Sequence, residues 1–271
     1  MIRELSRRFC IEPGARAHLG RRDPADLALF PDRAAAEAQS DADAAAIDRL
    51  QDRLYAEGRR SLLIVLQGPD TSGKDGTIRH VFKLTDPLGV VVSAFRRPSA
   101  EELAHDFLWR AHKACPARGF IGIFNRSHYE DVLIGRVRKL APKAEIEARY
   151  GHINAFEKLL ADSGTTILKF MLHISKKEQR ERLMARLQEP KSRWKFNPAD
   201  LDDRKLWARY QAAYERMLHK CSTPWAPWYV IPADHKWARN AAIAAIVRAT
   251  LERMNPQYPR PKWNPGDFRI E

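Results

Sequence analysis

The stretch "SLLIVLQGPDTSGKDGTIRHVF", residues 61–82, decides how the rest of this chain is read. It opens with a nearly continuous aliphatic run, as expected of a strand buried on both faces. It then turns through glycine into a segment of helical character. Gly68, Gly73 and Lys74 have the G-x-x-x-x-G-K spacing of a phosphate-cradling loop, and the strand–turn–helix context separates such a loop from a chance match. The glycines let the backbone turn tightly with its N–H groups inward. Thr71, Ser72, Gly73, Gly76 and Thr77 are therefore candidate phosphate contacts at the positive end of a helix. Lys74 adds a point charge. The alternative is a glycine-rich turn that holds nothing.

One position departs from the pattern. Where such a loop normally places a magnesium-binding Ser or Thr, this chain has Asp75. Its carboxylate would repel a phosphate, so Asp75 is expected to point away along the first turn, where the helix dipole favours it. Asp70, inside the loop, is then the candidate magnesium holder. A purely turn-forming Asp70 is the competing reading.

Working outward, four more apolar runs read as buried strands: 89–95, 119–125, 165–174 and 228–233. Helical stretches at 74–84, 100–114, 128–140, 146–163, 176–188 and 235–254 separate them. Strand alternating with helix implies a parallel sheet covered on both sides. The expected fold is three-layer α/β/α around the P-loop, with a five-stranded parallel sheet and a helical lid. It would be a single domain spanning residues 1–271, with an irregular arm at 1–45, a lid at 176–215 and an irregular, proline-rich tail at 255–271. Before the first strand, Ile47, Leu50 and Leu54 at 3-4 spacing mark an amphipathic helix that packs on the sheet or on a second subunit.

Composition narrows the partners. With 47 Lys+Arg against 34 Asp+Glu the net charge is +13, which favours a polyanion. The 3 cysteines are scattered and give neither a disulfide framework nor a zinc site. No apolar run is long enough to span a membrane, and the first residues lack a secretory h-region, so a cytoplasmic protein is expected.

Two further segments carry candidate chemistry. "IFNRSHYEDVL" (123–133) ends the third strand, whose C-terminal edge should lie beside the phosphate loop, where ligands bind in such sheets. Asn125 stands where a metal-binding carboxylate is common. Glu130 and Asp131 can supply the negative charge one turn later, and Arg126 offers a bidentate donor to phosphate oxygens. The second segment, "KSRWKFNPADLDDRKLWARY" (191–210), interleaves Arg193, Lys195, Arg204 and Lys205 with aromatic residues where nucleotide kinases carry a mobile lid. Arg79 and Lys83, on the helix after the loop, can extend a cationic groove.

Together, "GPDTSGKDGT", "FNRSHYEDVL" and "RWKFNPADLDDRKLWARYQAAYE" resemble the polyphosphate kinase 2 family, from about Ser61 to Trp263. "GKDGT" and "SHYEDVL" look like its class III branch, and "PSAEELAHDFLWRAH" adds to that likeness. The resemblance implies phosphate transfer from inorganic polyphosphate to AMP and ADP, giving ADP and ATP, with Mg2+ as cofactor and Mn2+ able to substitute. It implies a metal-binding and catalytic Asp70, a phosphate-binding Lys74, a catalytic cation at Arg126 and a lid around Arg193. Asn125 agrees with the class III pattern. A homo-oligomer is expected, with no nucleic-acid or membrane partner. The rivals are an ATP-dependent nucleoside monophosphate kinase and a non-catalytic polyanion-binding protein.

Overall fold

A computed structural model describes residues 2–270, so Met1 and Glu271, the outer ends of the expected arm and tail, lie outside the described residues. Among the described residues, eleven α-helices and six strands follow one another along the chain. Helix α1 (Ile2–Phe9) leads into a two-residue strand β1 (Cys10–Ile11) and later the long α2 (Arg33–Glu57). The central strand β2 (Ser61–Gln67) enters α3 (Lys74–Val81) through the glycine loop. There follow β3 (Val90–Ala94), α4 (Ala100–Leu103), α5 (Trp109–Ala114), β4 (Ile121–Asn125), α6 (Glu130–Val137) and α7 (Lys143–Asp162). The C-terminal half comprises β5 (Thr165–His173), α8 (Lys176–Gln188), α9 (Ala199–Lys205), α10 (Trp207–Cys221), β6 (Trp228–Pro232) and α11 (Lys236–Met254).

The sheet is six-stranded and mixed, in the order β1-β6-β5-β2-β4-β3, and not the five-stranded parallel sheet expected from sequence. Five strands are parallel as expected; β1 adds to β6 antiparallel through Cys10 and Ile11. Two residues after a helix carry no alternation from which a strand can be read. β2 is buried along its whole length, whereas β3, at the edge, exposes Val91 and Val92.

Helices cover both faces of the sheet. One core joins α1, α2 and α11 to the sheet through Ile47, Leu54, Ile64, Phe170 and Ile246; the other joins α6, α7 and α10 through Val65, Leu133, Ile153, Met217 and Trp228. α2 begins at Arg33, capped by Asp32, which accepts from the Ala35 amide at 2.8 Å. Its first turns bury Ala36, Ser40 and Ala44, and the facing α11 buries Ala238, Ala241, Ala242 and Ala245. Small side chains on both helices permit close approach, and they carry too weak a hydrophobic period to betray the helix in sequence. The expected helix 100–114 is two: Asp106 accepts from the Leu108 amide at 2.9 Å and breaks it. Beyond α11, only a 3-10 turn at Pro265–Asp267 interrupts the irregular tail. Among the described residues no helix is long and apolar enough to cross a membrane.

Candidate active site

The C-terminal ends of β2 and β4 lie side by side, with Leu66 opposite Asn125, and the ladder continues as the Arg126 amide donates to Leu66 O at 3.0 Å. This places the glycine loop after β2 next to the segment after β4. Gly68 has φ +151°, and a Cβ there would come within 2.8 Å of Leu172 O on β5. Gly73 has φ +103°, and a Cβ there would sit 1.9 Å from Arg239 Nη1. Both positions need glycine because the loop threads between neighbouring elements.

Lys74 is buried, not the solvated lysine its place on a loop suggests. Its Nζ donates to Gly68 O at 2.7 Å and to Pro69 O at 3.2 Å. Burial, with Arg126 nearby, pulls its pKa down to about 8 against the opposing pull of Asp70, Glu130 and Asp75. Asp70 forms an ion pair with Arg126, whose other nitrogen lies 3.6 Å from Glu130. Arg126 holds a left-handed φ of 60°, a conformation that costs a non-glycine residue about 1–3 kcal/mol and aims its guanidinium at the loop. Burial alone would lower the Arg126 pKa, but Glu130 and Asp70 outweigh it and hold it above its ordinary value. Glu130 is itself raised by burial despite Arg126 and Lys74. Gln67, its amide oriented by the hydrogen-bonding network, donates to Glu130 Oε1 at 3.1 Å and accepts from Ser127 N at 3.2 Å.

Asp70, Lys74 and Arg126 border a cleft of about 670 Å3, the size of a small-molecule site, whereas Gly68 and Glu130 lie outside its lining. Asp70, Thr71, Gly73, Lys74, Gly76, Asn125, Arg126 and Lys195, all singled out from sequence, line it together. Asp75 lines it too, against the expectation that it points away: its Oδ1 accepts from Asn125 Nδ2 at 2.7 Å, turning the carboxylate toward β4. Ser72 and Thr77 are fully buried behind the lining, with hydroxyls that have no partner among the described residues.

Other expected contacts lie elsewhere. Lys83 pairs with Asp41 on α2, and neither it nor the exposed Arg79 lines the cleft. Lys83 lies past Val81, the last residue of α3, at the end of the helix remote from the loop. Arg193 donates to Leu187 O at 2.9 Å and Arg204 to Lys176 O at 2.7 Å, so both are engaged within the expected lid and neither lines the cleft. Asp131 is drawn away by Arg110 and Arg149, at 3.7 and 3.4 Å. Trp194 stands exposed at 79%, while Trp207 packs on the core.

Sequence reading passed over Arg96, Arg182, Arg186 and Lys236, which complete the cationic lining. Arg96 stands two residues after β3, and Arg182 and Arg186 share one face of α8 at i,i+4 spacing, the signal that was available. It also passed over a wholly buried cluster beneath the site. Lys169 on β5 donates to Glu157 at 2.5 Å, to Tyr129 Oη at 2.8 Å and to Cys221 O at 2.7 Å. Tyr129 donates to the other oxygen of Glu157 at 2.7 Å, tying the segment after Arg126 to α7.

A family model described as polyphosphate kinase 2 (PPK2) matches residues 31–259. The chain belongs to the polyphosphate kinase 2 family. It is 50% identical over 258 residues to the AMP/ADP-polyphosphate phosphotransferase of Meiothermus ruber, covering 94% of this chain and 96% of that one. To the ADP-polyphosphate phosphotransferase of Rhodopseudomonas palustris it is 44% identical, over 78% of this chain and 77% of that one. The crystal structure of polyphosphate kinase 2 from Arthrobacter aurescens TC1 superposes with a TM-score of 0.93 at 40% identity, covering 97% of this chain and 94% of the other. The fold, with its mixed sheet and flanking helices, is thus that of the polyphosphate kinase 2 family.

Proposed function

We propose that this enzyme transfers phosphate from inorganic polyphosphate to AMP and ADP, yielding ADP and ATP. The observation that carries the reading is the joint lining of one cleft by the loop's Lys74, the Asp70–Arg126 pair and the cations Arg96, Arg182, Arg186, Lys195 and Lys236. These cations outnumber the carboxylates of Asp70, Asp75, Glu189 and Asp200 there, as a chain of phosphates requires. Likeness to the Meiothermus ruber and Rhodopseudomonas palustris enzymes supports the donor and both acceptors.

Lys74 and Arg126 hold the transferred phosphoryl group in line with the acceptor and neutralise its equatorial oxygens. An oxygen of the nucleotide's terminal phosphate forms the new P–O bond, and the bond to the polyphosphate chain breaks with its electron pair leaving on the shortened chain. The acceptor oxygen is already anionic at neutral pH, so no general base is needed. Arg126 is steadied by Asp70 and Glu130, and Lys74 by the carbonyls of Gly68 and Pro69. Lys195, on the segment assigned to the lid, reaches the cleft and can help exclude water as that segment closes.

Among the described residues no three His, Cys, Asp or Glu side chains cluster as a self-contained metal site. Mg2+ needs less: one or two carboxylates, with phosphate oxygens and water as the rest. Asp70 fits that demand, since it lines the cleft and Arg126 engages its Oδ1 only. Asp70 would hold the ion, which would neutralise charge on the reacting phosphates; Mn2+ can take its place. The testing experiment measures AMP and ADP phosphorylation with polyphosphate or ATP as sole donor. Activity with polyphosphate is expected, and activity with ATP alone overturns the proposal.

A further inference from the structure

Behind the phosphate loop, on the side away from the cleft, lies an arginine that none of the chemistry above uses. Arg239, in the first turn of α11, is 2% exposed. Its Nη1 donates to Ser72 O at 2.9 Å, while Nε and Nη2 donate to Asn240 Oδ1 at 3.1 and 2.8 Å. Among the described residues no carboxylate lies within ion-pair distance of it. Burial, with the neighbouring cation Arg182, pulls the Arg239 pKa down to about 9. A buried charge is ordinarily paired, because leaving it alone costs several kcal/mol. Arg239 is not.

Among the described residues, its one side-chain hydrogen bond outside its own helix explains where it sits. In a trans peptide the carbonyl of one residue and the N–H of the next point opposite ways. Holding Ser72 O on the α11 side therefore turns the Gly73 N–H toward the cleft that Gly73 lines. Arg182 works on the same strand of loop, donating to Thr71 O at 2.9 Å and Ser72 O at 3.3 Å, but its charge is answered by Glu178 at 2.7 Å. Arg239 occupies the space where a Cβ on Gly73 would stand, and the φ of +103° there strains any other residue. The loop, the glycine and the arginine form one unit.

We propose that Arg239 is a positioning residue for the phosphate loop, aiming the Gly73 amide and carrying a buried positive charge whose balancing anion is the phosphate chain bound across the loop. This presupposes the polyphosphate reading given above. The role differs from that of Lys74 or Arg126, since Arg239 never touches the ligand and acts through a single peptide unit and through its field. Its cost to the free protein and its benefit to the bound one should thus separate.

The test compares wild type with Arg239→Met, Arg239→Gln and Arg239→Lys by calorimetric titration with inorganic tripolyphosphate, thermal melting with and without it, and steady-state kinetics with polyphosphate and AMP. Arg239→Met should melt no lower than wild type without ligand, bind tripolyphosphate at least tenfold more weakly, and raise KM for polyphosphate with KM for AMP within threefold. Arg239→Lys, which keeps the charge, should restore tripolyphosphate affinity to within threefold. Should Arg239→Met not fold, Arg239→Gln, which keeps a donor for Ser72 O without the charge, carries the same comparison. Neutral variants that bind tripolyphosphate like wild type overturn the role of Arg239 alone, as does a Lys variant no better than Met. Wild-type protein that binds no tripolyphosphate and takes no phosphate from polyphosphate overturns the function as well.

Discussion

Arg126 reaches across from the end of β4 to grip the Asp70 carboxylate in the loop after β2, so that each strand's end holds the other's charged residue in place. The pair lines the cleft from one side, and Glu130 braces it from the other. If Asp70 also holds magnesium, its two oxygens divide the work between a fixed cation and an exchangeable one.

Substituting that carboxylate separates the two duties. Asp70→Asn keeps shape and a hydrogen-bonding oxygen for Arg126 but loses the charge, so kcat should fall at least a hundredfold, about 2.7 kcal/mol, with partial recovery at raised Mg2+ or with Mn2+. Asp75→Asn keeps an oxygen that Asn125 Nδ2 can reach and should lose less than tenfold. Steady-state assays across a metal titration decide it: a dead Asp75→Asn beside an active Asp70→Asn puts the metal on the other carboxylate.

Lys74→Ala should cost at least a hundredfold in kcat/KM for polyphosphate. Because Lys74 is buried with a lowered pKa, the ligand-free variant should melt at or above the wild-type temperature, since a desolvated cation is removed. Retention of more than a tenth of wild-type activity would exclude Lys74 as a phosphate ligand.

The same lysine sets a pH limit. Its folded pKa of about 8 lies below its ordinary 10.5, so between those values the unfolded chain binds more protons. Stability of the ligand-free protein therefore gains from Lys74 as pH rises through that window, while phosphate affinity is lost with the charge. KM for polyphosphate should climb above about pH 8. Lys74→Arg, which stays charged, should flatten that limb even if its kcat is low; a pH profile identical to wild type would assign the limb to another group.

Beneath the site, Glu157 and Lys169 are both wholly buried and paired. Burial would raise the Glu157 pKa, but Lys169 and His128 outweigh it and hold it below the ordinary value. Its contribution to stability is therefore complete above the unfolded carboxylate range and is lost as pH falls through the folded value. Glu157→Gln should destabilise by roughly 3–5 kcal/mol in urea titration, because it strands Lys169, and Glu157→Gln with Lys169→Met should recover much of that loss. A single variant as stable as wild type would contradict the pairing.

Polyphosphate binding should weaken steeply with salt, since each phosphate neutralised by the cleft's cations releases counterions, and AMP binding should weaken less. Equal slopes in paired titrations would argue against a cationic cleft for the donor.

The sequence by itself determined the parts that depend on local pattern. The apolar run before Gly68, the G-x-x-x-x-G-K spacing and the strand–helix alternation place the glycine loop, Lys74, Asp70 and Arg126 at the strand ends, because period and glycine spacing are properties of neighbouring residues. Only the tertiary structure decided which charges share a cavity. Lys83 and Asp131, near the motifs in sequence, are taken by Asp41 and by Arg110 and Arg149, whereas Arg96, Arg182 and Lys236 come from distant segments whose ends converge on one edge of the sheet. Strand β1 and the alanine-rich start of α2 were illegible for a related reason: two residues carry no period, and small side chains acquire meaning only when α11 packs against them. Burial is likewise a property of the assembled fold. Packing made Lys74 a desolvated cation and left Arg239 without a carboxylate, and the meeting of β2 and β4 set Asp75 against Asn125, none of which a linear pattern of charges contains.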